Sequence, residues 1–162
     1  MNYETLLIDQ QNSITTLSFN RPDKLNAFDE KMVIETQDAI KNISDDNSVK
    51  VLIITGIGRG FSAGADLSDP SGMDDHNNER IVYEGLVNGY MPSLTGIMNM
   101  PKPVIAAVNG PAAGIGSAFA LACDLMVMSK DAYLKQAFVN IALIPDGGLN
   151  WFLTRTIGSS KY

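Results

Sequence analysis

Residues 104–128 read "VIAAVNGPAAGIGSAFALACDLMVM", and the hydrophobic pattern changes twice within them. Val104–Val108 is a short β-branched run held between prolines and a glycine, as expected of a strand buried on both faces. "AAGIGSAFALAC" follows as a short helix, apolar on most sides and therefore deeply buried. "DLMVMS" reads as a further strand. Strands alternating with helices imply an α/β fold with parallel elements.

The same order recurs upstream. Val49–Thr55 reads as a buried strand and runs into "GIGRGFSAGAD". Strand and glycine-rich turn at Val51 and again at Val104 suggest stacked, related units, although the similarity is too weak to call a repeat. Before them lie two strands, Thr5–Asp9 and Ser13–Phe19. Asp29 then caps a helix through about Ile43, whose apolar face includes Met32, Ile34, Ala39, Ile40 and Ile43. "LSDPSGMDDHNNER" should be a polar surface loop, and helical spacing resumes from about Asn78 to Met98. After the break at Pro145 a helix-like segment ends near Ile157.

A chain of 162 residues, 45% hydrophobic and 19% charged, fits one ordinary domain, 1–162, able to bury a real core. No apolar run approaches the ~20 residues that span a bilayer, and "MNYETLLIDQ" lacks the features of a signal peptide, so a cytoplasmic, non-membrane protein is expected. A net charge of −6 argues against a nucleic-acid partner. One cysteine and one histidine make no zinc site, and Cys123 reads as a buried structural thiol.

The corners "SAGAD" and "NGPAAGIGSA" could do chemistry. Glycine lets the backbone approach a ligand. If the corners converge, their amides could form an oxyanion hole, in which one donor is worth ~2.7–4 kcal/mol, aided by the dipole of the buried helix. The plainer alternative is tight turns and close helix–sheet packing. "GIGRGF" has Phe61 where a dinucleotide fingerprint needs its third glycine, and no Walker loop is present. Gly60–Gly64 matches the nucleophile elbow G-x-S-x-G around Ser62, which makes serine hydrolysis the rival. No helix follows directly, however, and the one histidine, His76, lies in the polar loop.

"LSFNRPDKLNAF", "VLIITGIGRGFSAGADL", "PKPVIAAVNGPAAGIGSAFALACDL" and "ALIPDGGLNWFLTRTIG" resemble, in order and spacing, the crotonase or enoyl-CoA hydratase/isomerase superfamily. The resemblance implies a crotonase-like spiral of ββα units that binds acyl-CoA thioesters, with no prosthetic group and with coenzyme A as part of the substrate. By motif position the oxyanion-hole amides fall on Ala65 and Ile115. Ala63, Ala65, Asp66, Leu67 and Ser68 fall where members line the CoA, as do Lys24, Leu25 and Ala27 of "DKLNA". Lys24 also suits a phosphate.

Two departures shape the expected activity. The hydratase glutamate positions correspond to Ala118 and Phe138, neither of which carries a proton, so hydration lacks its acid and base. Asp146 falls where isomerases of the superfamily carry a catalytic acid, and one carboxylate suffices to move a proton from C2 to C4. The expectation is therefore a Δ3-Δ2 enoyl-CoA isomerase type with Asp146 as shuttle. Alternatively Asp146 only caps a helix beginning at Gly147. Members usually continue beyond "RTIG" into C-terminal helices that cover the pocket and support trimers. The chain, stopping at Tyr162, is expected to lack that layer and to associate as a homo-oligomer, a trimer or a dimer of trimers. The reading from another class is a catalytically inactive CoA-binding or oligomerisation module.

Overall fold

The computed structural model describes residues 2–68, 80 and 83–159. His76, most of the expected polar loop and the start of the helix expected from Asn78 lie outside the described residues. In chain order the strands are β1 (Leu6–Gln11), β2 (Ile14–Phe19), β3 (Val51–Gly56), β4 (Val104–Val108), β5 (Ala112–Ala113), β6 (Leu125–Met128) and β7 (Leu134–Lys135). The α-helices are α1 (Glu30–Asp45), α2 (Met91–Met98), α3 (Ile115–Leu121) and α4 (Leu149–Ile157). A π-helical turn, Gly85–Tyr90, leads into α2.

One sheet runs β1-β2-β3-β4-β6, antiparallel between β1 and β2 and parallel elsewhere. The α/β expectation with parallel elements is met. Period-two burial in β3 and β4 puts Leu52, Ile54, Val104, Ala106 and Val108 on the covered face. Helix α1 lays Met32, Ala39, Ile40 and Ile43 into the same core, and its start is as the sequence indicates: Asp29 accepts from the Met32 amide at 2.8 Å. Ile34, expected on that apolar face, is instead exposed. The first two alanines of "AAGIGSAFALAC" also depart from the expected helix, pairing as β5 with β7 in a separate two-stranded sheet.

The two glycine corners meet. Ala113 donates its amide to the Ser62 carbonyl at 2.9 Å, and Ser62 donates to the Pro111 carbonyl at 3.2 Å. A Cβ on Gly64, whose φ is +96°, would sit 2.8 Å from the Ala113 carbonyl oxygen, and one on Gly116 would sit 2.7 Å from that of Ser62. The corners therefore interlock through main chain alone, which no other residue allows. Behind them Phe19 touches Phe28, Phe61 and Phe119 edge-on, with centroids 5.1, 5.4 and 5.8 Å away, and Phe28 stacks on Phe119 at 4.8 Å. Phe61 thus fills the core where a dinucleotide fingerprint would need glycine.

Asn26 fixes the approach to the first corner. Fully buried, in a left-handed conformation (φ 56°), it donates to the Ile57 and Gly60 carbonyls at 3.0 and 2.9 Å and accepts from the Arg21 amide at 2.8 Å. Removing it takes a partner from three main-chain groups, two of them part-buried and one, the Gly60 carbonyl, buried. Asn26→Ala is expected to destabilise the fold by roughly 2–4 kcal/mol, read as a lower urea midpoint at unchanged m-value.

Candidate functional site

A cavity of about 130 Å³ opens between the two corners and the segment before α4. Ala63, Ala65 and Leu67 line it from the first corner, Gly114 and Ile115 from the second, and Phe138 and Asp146 from the C-terminal side. Residues from three distant stretches of sequence thus share one small, largely apolar space.

Its two amides are of one kind. Neither the Ala65 nor the Ile115 N–H donates a hydrogen bond among the described residues. At Ala65 the reason is alternation: Phe28 donates to the Gly64 carbonyl at 2.8 Å and Asp66 donates to Phe28 at 2.9 Å, leaving the residue between them turned away from that partner. At Ile115 the reason is position, since the first residue of α3 has no earlier turn to donate to. A main-chain N–H without an acceptor is one that a ligand oxygen can satisfy.

Asp146 does not cap the following helix. Helix α4 begins at Leu149 with Gly148 as its cap residue and no side-chain cap, and Asp146 contributes only its carbonyl, which accepts from Leu149 at 3.0 Å. The carboxylate oxygen Oδ1 is buried without a hydrogen-bond partner. Burial raises the acid from 3.8 to about 6, against a smaller lowering by its own backbone N–H. Ala118 is fully buried and Phe138 nearly so, and neither brings a titratable group to the cavity. A Cβ on Gly147 would meet Ile115 Cδ1 at 2.5 Å and Ala118 Cβ at 3.0 Å, so the turn carrying Asp146 rests directly on the second corner.

The other expected residues lie beside the cavity. Ala63 donates to the Leu25 carbonyl at 2.8 Å, tying "DKLNA" to "SAGAD"; Leu25 is half-buried and Ala27 buried. Lys24 is exposed and makes no ion pair among the described residues. Asp66 is committed within the protein. Ser68 donates its hydroxyl at 2.5 Å and its amide at 3.1 Å to one carboxylate oxygen, and Arg21 holds the other at 3.0 Å through both terminal nitrogens. Ser68 first, then Arg21, hold this acid down at about 2. Arg21 also pairs with Asp29 at 3.1 Å and donates to the Ala27 carbonyl. Nothing in the sequence singled out Arg21, Asn26 or Tyr90, which also lines the cavity.

Serine hydrolysis loses its nucleophile. Ser62 is fully buried, and its hydroxyl donates to the Asn26 carbonyl at 2.8 Å while accepting from the Gly64 amide at 3.2 Å. Cys123 is half-buried, donating to the Phe119 carbonyl at 3.3 Å, with burial pushing its thiol up to about 12. Among the described residues there is no cluster of His, Cys, Asp or Glu able to hold a metal ion, and no helix long and apolar enough to cross a membrane.

Known proteins resemble this chain in sequence and fold. Residues 9–162 match the family model for enoyl-CoA hydratase/isomerase. The chain is 35% identical over 158 residues to 1,2-epoxyphenylacetyl-CoA isomerase of Escherichia coli, covering 98% of this chain and 60% of that protein. It is 32% identical over 152 residues to 4-chlorobenzoyl coenzyme A dehalogenase-2 of an Arthrobacter species, covering 93% and 54%. The crystal structure of an enoyl-CoA hydratase from Bacillus anthracis superposes with a TM-score of 0.88 at 30% identity, covering 98% of this chain and 60% of that one. The chain therefore spans somewhat over half the length of these relatives.

The folded chain holds a proton on Asp146 more tightly than the unfolded chain does, so ionising it costs stability, and the cost sets in as pH rises from 3.8 through about 6. Partial solvent screening of this half-buried group leaves the cost at ~1 kcal/mol. Asp146→Asn is expected to raise urea-unfolding stability by about that much at pH 8, and by nothing measurable at pH 3.5.

Proposed function

The chain belongs to the enoyl-CoA hydratase/isomerase family, and from that premise we propose that it shifts the double bond of an acyl-CoA thioester from Δ3 to Δ2, with Asp146 as the single proton shuttle. The observation that carries this reading is the unpartnered Asp146 carboxylate in the cavity that also receives the two undonated amides of Ala65 and Ile115. The thioester oxygen lies on those amides. Asp146 takes a proton from C2, the C2–H pair forms C1=C2 while the carbonyl pair moves onto the thioester oxygen, and the resulting dienolate, conjugated with C3=C4, is held at that oxygen. As the carbonyl re-forms, C2=C3 forms and the C3=C4 pair takes the proton back from the same carboxyl at C4. An acid near 6 is ionised at neutral pH yet gives the proton back readily. Ala118 and Phe138 supply no second acid or base, which disfavours hydration.

In this reading residues 1–162 act as a crotonase-like acyl-CoA-binding core domain. Lys24, Leu25, Ala27, Ala63, Asp66, Leu67 and Ser68 form the CoA-facing rim, with Asp66 acting through the shape that Arg21 imposes on it. The cavity is smaller than the ~300 Å³ of an ordinary ligand pocket, so it receives the acyl end alone. The chemistry belongs to cytoplasmic handling of fatty acyl thioesters, by a homo-oligomer that is a trimer or a dimer of trimers. Apolar surface supports association: Leu125 and Val127 on the β6 edge are 60% and 66% exposed, and Val139 and Ile144 are 79% and 80% exposed. The same surface favours the second reading, a catalytically inactive CoA-binding or oligomerisation module. Acyl-CoA binding without turnover of any 2- or 3-enoyl thioester would select it.

With 3-enoyl-CoA as substrate, Asp146→Asn is expected to lower kcat ~10²–10⁴-fold, and undiminished activity would remove Asp146 from the mechanism. The wild-type rate should fall as pH drops through about 6, where the base becomes protonated. Ile115→Pro deletes one amide at the first position of α3, where a helix tolerates proline. It should cost ~10²–10³-fold in kcat, whereas Ile115→Val, which keeps the N–H, should cost far less.

A further inference from the structure

Of the described residues lining the cavity, only Asp146 and Tyr90 have polar side chains. Tyr90 stands where the π-helical turn Gly85–Tyr90 passes into α2, and the Met91 amide there still reaches back to the Leu86 carbonyl. Turns of this kind are rare and frequently occur at functional sites. Phe28 meets the Tyr90 ring edge-on, centroids 5.8 Å apart at 84°, and limits where the ring can lie. Among the described residues the phenol takes part in no hydrogen bond.

Burial pushes that phenol up to about 12, and Asp146 is the largest of the charges acting on it. It is therefore a neutral donor at any working pH. Together with the Ala65 and Ile115 amides, the cavity presents three donors and one carboxylate. A plain 3-enoyl group uses the two amides and the carboxylate and leaves the phenol against hydrocarbon. A desolvated donor facing hydrocarbon is penalised, whereas one facing an oxygen is rewarded.

We propose that Tyr90 is a specificity-determining residue whose hydroxyl selects acyl-CoA thioesters bearing a second oxygen, a hydroxyl, on the acyl chain. The assignment deepens the acyl-CoA reading above and rests on it. The thioester oxygen takes the two amides, the hydroxyl oxygen accepts from Tyr90, and the carbon skeleton between them passes Asp146.

The test is a calorimetric comparison of butyryl-CoA with 3-hydroxybutyryl-CoA and 4-hydroxybutyryl-CoA, on the wild-type chain and on Tyr90→Phe. Phenylalanine keeps the ring against Phe28, and circular dichroism checks that the variant is folded. In the wild type at least one hydroxylated thioester should bind about tenfold more tightly than butyryl-CoA, and in Tyr90→Phe that ratio should collapse to about one. A wild-type ratio near one, or a ratio that survives in Tyr90→Phe, overturns the assignment while leaving thioester binding intact. Failure of all three thioesters to bind the wild type overturns the acyl-CoA reading and this inference together.

Discussion

Where Gly64 lies against the Ala113 carbonyl and Gly116 against that of Ser62, there is room for main chain and nothing else. This close contact is what brings Ala65 and Ile115 to the same cavity although they are fifty positions apart in the sequence. The backbone bonds between residues 62 and 111–113 hold the contact, and the four phenylalanines behind it set its depth. A methyl group at either glycine would push the corners apart and separate the two donors.

Two carboxylates flank this contact in opposite states for stated physical reasons. Asp66 is enclosed by donors from Ser68 and Arg21 and held near 2, so it stays charged and ties the first corner to the segment before α1. Asp146 lies among mostly apolar residues, its Oδ1 without a hydrogen-bond partner, and burial raises it to about 6. One acid stabilises shape, and the other remains available to exchange a proton. Tyr90 completes the polar inventory of the cavity from the π-helical turn opposite.

Much of the fold was legible in the chain because it rests on local pattern. The β-branched runs at 51–55 and 104–108 are strands, and Asp29 caps α1 where its spacing to Met32 predicts. Errors arose where tertiary pairing overrode local preference. Ala112 and Ala113 have good helix propensity yet join Leu134 and Lys135 as strands, since their amides meet the Tyr133 and Ser62 carbonyls. Asp146 had the position of a cap, but Gly147 and Gly148 both take positive φ and turn the chain so that its side chain faces the cavity lining instead of the helix end. Asn26 and Arg21 gave no periodic signal, because their partners lie on a different segment of chain.

The sequence by itself determined most of the strands and helices, that the fold has parallel strands, and that two glycine corners and one aspartate at the turn before the last helix exist. Hydrophobic period, β-branching and glycine placement are local properties, and they survive translation into structure without knowledge of neighbours. Only the tertiary structure decided that the corners interlock, that Asp146 is unpartnered and not a cap, that Ser62 is consumed by Asn26, and that Tyr90 shares the cavity. Each of these depends on which distant atoms occupy the few ångströms around a group, and that is set by packing.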